Sequence, residues 1–162
     1  MKFNFLCANH REWLRGRPDQ ALHWCANSYD TGRSLSEGEH WDEALVHMGC
    51  AFETAEIILT TRAIEPITGL EWFIQTLVGL TQALEKSGRA DAVTEIRQAA
   101  IFRLRNEAML NMSPEFEARI YMHIMRLNSQ NRQHTVTPRR SRPARRKAAS
   151  ACATTSRTSW RS

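Results

Sequence analysis

Four side chains in the stretch GEHWDEALVHMGC have the types and spacing to hold a metal ion or move a proton: His40, Glu43, His47 and Cys50. Zinc takes imidazole, carboxylate and thiolate ligands, and offsets of three, four and three place all four along one side of a helix. Axial rise limits what they can do together. Residues ten apart on a helix are separated by about 15 Å, so only His40/Glu43 or Glu43/His47 could chelate one ion. The HExxH spacing is missing. Trp41, Ala44, Leu45 and Met48 meanwhile run through the same stretch as an apolar stripe. At about 100° per residue the two histidines fall at the flank of that stripe, and Cys50 falls nearly opposite its centre. The expectation is a packing helix, with no metal site and with Glu43 and His47 as a surface pair.

Other chemistries have less behind them. No GxSxG marks a nucleophile, no GxxxxGK[ST] cradles phosphates, and no GxGxxG is present. None of the four cysteines, Cys7, Cys25, Cys50 and Cys152, sits in a CxxC or beside a placed histidine. No catalytic residue, cofactor or metal ligand is therefore assigned, and the chain is expected not to be an enzyme.

The elements that position these residues read as helices. Before position 131 only Pro18, Pro66 and Pro114 interrupt long stretches, which favours helices over short strands joined by many turns. A short segment near 8–15 precedes five longer ones. The first runs from about Pro18 to Ser36, with Pro18 and Asp19 suited to an opening turn and Leu22, Cys25, Tyr29 and Gly32 as its stripe. The second, about Glu39 to Ala63, repeats apolar residues through Phe52, Ala55, Ile58 and Leu59, the strongest period in the chain. Thr68 and Glu71 form a capping box for the third, Gly69 to Ser87. Its wide apolar surface (Leu70, Phe73, Ile74, Leu77, Val78, Leu80, Leu84) suits neighbours on two sides. The fourth runs from Arg89 to Asn111. Ser113 and Pro114 open the fifth, which turns Phe116, Ile120, Ile124 and Leu127 inward.

Gly38-x5-Ala44-x6-Ala51 opens the second helix, and Gly88-x3-Ala92-x6-Ala99 opens the fourth, each with an acidic residue just before the first alanine. Gly16 to Leu22 is a partial third copy. Small residues seven apart share a helix face and let a partner helix approach closely. Residues 16–111 thus resemble the tetratricopeptide-like helical repeats in a longer-helix form: Ala44 and Ala92 are 48 residues apart, against roughly 34 in the standard repeat. The resemblance implies antiparallel αα-hairpins, stacked as a superhelix or closed into a compact bundle, whose first helices line a concave, partner-gripping face. On that basis Trp24 and Asn27 on the first helix, and Glu71, Gln75, Gln82 and Glu85 on the third, are the candidate partner-binding residues. Phe102, Tyr121 and Met125 would either extend an apolar patch or belong to the core.

The charge is divided. The 162 residues carry a formal +5, but all 17 acidic residues lie between Glu12 and Glu117, and nine of the 22 Lys and Arg lie from Arg132 onward. Residues 1–131 therefore sum to 13 − 17 = −4, and 132–162 to +9. The division suggests a helical domain at 1–131 and a disordered basic tail at 132–162. In RRSRPARRK, Arg139, Arg140, Arg142, Arg145, Arg146 and Lys147 could neutralise the phosphates of a nucleic acid or another polyanion. The same Arg/Pro/Ala/Ser/Thr texture also arises when GC-rich coding sequence is read out of frame.

The N-terminus has too short an apolar run for a signal peptide, no stretch approaches the ~20 apolar residues that span a bilayer, and scattered cysteines suit a reducing compartment. A cytoplasmic all-α protein is expected. Its expected work is non-catalytic: an adaptor, chaperone or regulatory scaffold binding a partner peptide or helix in a groove. The alternatives are a nucleic-acid-associated regulator using the tail, and a small-molecule sensor or enzyme with an interhelical pocket. A second copy of the chain is also a candidate partner.

Overall fold

The structure, a computed structural model, describes residues 4–110 and 113–136, with the side chains of 133–136 outside the description. These residues form six helices: α1 (Ala8–Arg15), α2 (Pro18–Glu37), α3 (Trp41–Thr61), α4 (Pro66–Lys86), α5 (Ala90–Ala108) and α6 (Pro114–Val136). Among the described residues there is no strand, and their fold is all-helical as expected. No helix among them is long and apolar enough to cross a membrane. α6 continues past Arg132, where the charge composition changes, because nothing before Val136 breaks a helix.

Short connections make consecutive helices pack side by side. α3 lies against α1, α2 and α4, and α4 touches α2, α3, α5 and α6. Contacts fix the opposed directions: Cys25 of α2 donates its S–H to the Ala51 carbonyl of α3 at 3.5 Å, while Gly32, seven residues on, meets Met48. Phe52 and Phe73 stack between α3 and α4 with ring centroids 5.2 Å apart. Met48 is a wedge shared by three helices. A Cβ on Gly32 would stand 3.0 Å from its Cγ, and one on Gly79 would stand 2.6 Å from its Sδ. A Cβ at either glycine would have to push the Met48 side chain aside.

The expected stripes hold. Ala44, Leu45, Met48, Ala51, Phe52, Ala55, Ile58 and Leu59 are all buried, as are Leu70, Phe73, Leu77, Leu80 and Leu84 on α4. Val78 departs from the broad stripe of α4 and is exposed. Gly88 supplies the left-handed stop, at φ +78. Ser113 caps α6 through a 3.2 Å bond from the Phe116 N–H.

One boundary differs. Pro66 does not close a loop; it opens α4, and Glu65 rather than Thr68 is the cap. The Glu65 carboxylate accepts from the N–H groups of Ile67 and Thr68 at 2.9 and 2.8 Å. Those donors favour its charged form and hold its pKa below the usual carboxylate range. Proline at the first helical position leaves no N–H to satisfy there. The Thr68–Glu71 box is thereby pre-empted: the Thr68 N–H and hydroxyl both point back at Glu65.

Candidate functional site

The series that suggested a metal is spread around α3. His40 is the residue before the helix and is exposed, Glu43 is exposed, and His47 and Cys50 are half-buried. No group of three or more His, Cys, Asp or Glu residues suited to a metal occurs among the described residues. Cys50 corrects one expectation. Its side of α3, opposite the apolar stripe, is covered by the segment leading into α1, and its thiol donates to the Phe5 carbonyl at 3.7 Å. Burial, and then the neighbouring Glu53, push its pKa up. Cys25, enclosed between α2 and α3, is pushed by burial to about 12. Both are inert thiols rather than nucleophiles.

The buried group that the sequence reading passed over is Glu53. Only 5% exposed, it accepts from the N–H groups of Phe5 and Leu6 at 3.0 and 2.8 Å and pairs with Arg11 at 2.8 Å. One carboxylate thus docks the N-terminal segment and α1 onto α3. Two glutamates, Glu53 and Glu56, inside the apolar run CAFETAEIIL were the available signal. Next to it, Arg103 of α5 grips Glu56 of α3 with two N–H groups, at 2.9 and 2.7 Å.

These pairs line a pocket of about 440 Å³ between α1, α3 and α5. Arg11, Arg15 and Arg103 contribute cations, Glu53 and Glu56 anions, and Ile57, Ala99 and Phe102 an apolar side. All three arginines have a carboxylate partner: Arg11 pairs with Glu53, Arg103 with Glu56, and Arg15 with the exposed Glu12 of its own helix at 3.4 Å. Phe102, 68% exposed, belongs to this pocket and not to a patch with Tyr121 and Met125.

The six residues expected to line a groove are all exposed, two on α2 and four on α4. Trp24 packs edge-on against His10 of α1, with ring centroids 4.4 Å apart. Asn27 bonds His23 one turn back. Glu71, Gln75, Gln82 and Glu85 do share one exposed strip of α4 with Val78. Its acidic ends are taken up by neighbouring helices: Arg119 of α6 bonds Glu71 at 3.2 Å, and the buried Arg97 of α5 approaches Glu85 at 3.3 Å. Arg139, Arg140, Arg142, Arg145, Arg146 and Lys147, the proposed polyanion-binding residues, lie outside the described residues.

A second surface has the character of an interface. α6 buries Phe116, Ile120, Ile124 and Leu127 against its neighbours. Its outer side exposes Tyr121 at 52%, Met122 at 59% and Met125 at 74%. With about 100° per residue, Met122, Met125, Ala118 and Ser129 form one face opposite the buried one, and Tyr121 flanks it. Methionine, flexible and polarizable, is a side chain that adaptable binding surfaces use. Met122 is the member that the sequence reading missed, although it stands four residues from Ala118 and three from Met125. Comparison of the chain with known protein families, with curated proteins and with solved structures finds no match in any of the three.

Proposed function

We propose that this chain is a non-catalytic protein-interaction module of tetratricopeptide-like build, which takes an amphipathic helix against the outer face of α6. The observation that carries the reading is the apolar row Tyr121, Met122 and Met125 on the last helix of a row of packed helices. In such a row each helix is covered by the next, and α6 is the one with no successor among the described residues. A helix from a partner would complete the packing by laying its apolar stripe into that face. The polar strip on α4 is the weaker contact surface, since Glu71 and Glu85 already have arginine partners.

A photo-crosslinking residue at position 125 is expected to capture a helical segment, of another protein or of a second copy, while the same residue at position 75 captures little. Capture from position 75 with none from 125 would move the site to α4 and sink the reading. One observation favours a second reading. The pocket, lined by three arginines, two carboxylates and an apolar side, has the composition for a small organic anion. Melting the protein with a panel of aromatic and aliphatic carboxylates tests that, and no shift with any of them counts against it. The tail-based reading, nucleic-acid association through RRSRPARRK, is tested by salt-dependent band shift of the full chain against a variant with those cations replaced.

A further inference from the structure

We infer that the occupant of the α6 face is α6 of a second copy of this chain, paired antiparallel about a two-fold axis near Tyr121 and Met122. The inference rests on the reading that this face is an interaction surface, and it names what covers it. Shape comes first. The face carries small residues at its two ends, Ala118 and Ser129, and large ones, Met122 and Met125, between them. In an antiparallel crossing Met125 comes over the partner's Ala118, and Met122 meets the partner's Tyr121. The large side chains of each helix fill the space left by the small ones of the other.

Charge then selects the orientation. Glu115 and Arg126 lie on the same flank of the face, eleven residues and therefore about three turns apart. Two helices packed antiparallel bring like flank against like flank with the order reversed. Glu115 then faces the partner's Arg126, twice per dimer. A parallel pair about a two-fold axis brings unlike flanks together, so Glu115 and Arg126 face the Tyr121 side of the partner and gain no counter-charge. The helix dipoles add to the preference, because the antiparallel arrangement brings opposite ends together. Glu115 keeps its internal partner Arg119 at 3.2 Å and gains a second cation.

Charge also argues against the other occupant within reach, residues 137–162 of the same chain. That segment has eight Lys and Arg and no Asp or Glu, while the face is flanked by three cations, Arg119, Arg126 and Arg132, against the one carboxylate of Glu115. Four side chains per copy make a small contact, below the roughly 1,200 Å² total that separates stable from weak interfaces. The dimer is therefore reversible, and self-association follows concentration.

The test is sedimentation velocity on the full-length chain, treated with nuclease so that the basic tail cannot link copies through nucleic acid. A monomer–dimer equilibrium is expected across about two decades of micromolar concentration. Met122→Glu should weaken it by about tenfold or more, with helicity and melting unchanged because Met122 is exposed. Glu115→Arg and Arg126→Glu should each weaken it several-fold, and the double variant, which swaps the charges on both copies, should regain association. A monomer at every concentration overturns the dimer, and so does a dimer indifferent to Met122→Glu. A double variant no better than the singles overturns the antiparallel pairing. If the chain is monomeric while position 125 crosslinks a different protein, the dimer falls and the interaction-surface reading stands. If position 125 captures nothing either, both fall.

Discussion

α3 and α6 are of nearly equal length, yet they answer to different constraints. α3 is covered on almost every side: by α2 and α4 along its apolar stripe, and by residues 5–6 and α1 on the side of Gly49, Cys50 and Glu53. It tolerates even a carboxylate inside, because two amides and a guanidinium meet it. α6 buries one face and leaves the other open. The central helix is where stability is concentrated, and the terminal one is where sequence can be spent on contacts outside the fold.

The sharpest way to break that contrast is to truncate one large side chain on each. Phe52→Ala removes a ring stacked on Phe73 and should cost about 3–5 kcal/mol, the range for buried aromatics. Met125→Ala, on the open face of α6, should stay within about 0.5 kcal/mol. Urea unfolding of both variants, at concentrations too low for self-association, checks the pair. Comparable losses would mean that α6 is covered after all.

Charge gives the next largest difference. In Glu53→Gln one amide oxygen replaces the two carboxylate oxygens, and the new NH2 group is turned toward a backbone N–H, donor against donor. Arg11, itself partly exposed, loses its counter-charge. A loss of about 2 kcal/mol is expected, together with earlier proteolysis around α1, since Glu53 holds the N–H groups of both Phe5 and Leu6 before it. Glu115→Gln breaks only the exposed i,i+4 pair with Arg119 and should cost no more than about 0.5 kcal/mol. If α1 resists protease equally in Glu53→Gln, the docking role is wrong.

Gly49 tests the same seam sterically. A Cβ there would run into the ring of Phe5, so Gly49→Ala trades helix propensity, about 1 kcal/mol in its favour, against overpacking of about 1–3 kcal/mol. A net destabilisation near 1 kcal/mol is expected. In a Phe5→Ala background the same change should become stabilising, and a cycle of melts reads the reversal. Destabilisation in both backgrounds would show that Gly49 is needed for something other than Phe5.

The sequence made the helices legible because periodicity and punctuation act locally. Trp41 to Leu59 repeats its apolar residues without a break, and Gly88 and Ser113 mark a stop and a start by backbone chemistry that any context preserves. The cap of α4 was misread because two acceptors competed. Thr68 and Glu71 satisfy the box pattern, but Pro66 pulls the helix start back three residues and gives the N–H groups to Glu65. The site was much less legible. Glu71, Gln75, Gln82 and Glu85 are correctly one strip, yet nothing in a single sequence says that Arg119 and Arg97 reach its two ends from other helices. Glu53 and its amide partners are 47 and 48 residues apart, and the pocket that Arg103 and Phe102 share with Arg11 and Arg15 joins residues more distant still. Pairings of that range are set by which helix faces meet, and face-to-face assignment is the step that local pattern does not contain.

The smallest expected effect lies on α6 itself and sharpens where its covered face ends. His123 is half-buried between the inward residue Ile124 and the open face. Partial burial lowers its pKa, with Arg126 and then Arg119 adding in the same direction and Glu71 opposing them. The neutral ring is the form that the fold favours. Its contribution to stability is therefore present above the ordinary histidine pKa and is lost as pH falls through the lowered folded value. An NMR titration should place His123 below the model histidine value of 6.5. Arg126→Gln should move it back up, and Arg119→Gln by less, because removing Arg119 also frees Glu71 and Glu115 from their shared cation. An unshifted His123 would mean that this flank of α6 is as open as the methionine row. A shift that Arg126→Gln leaves untouched would assign it to burial alone.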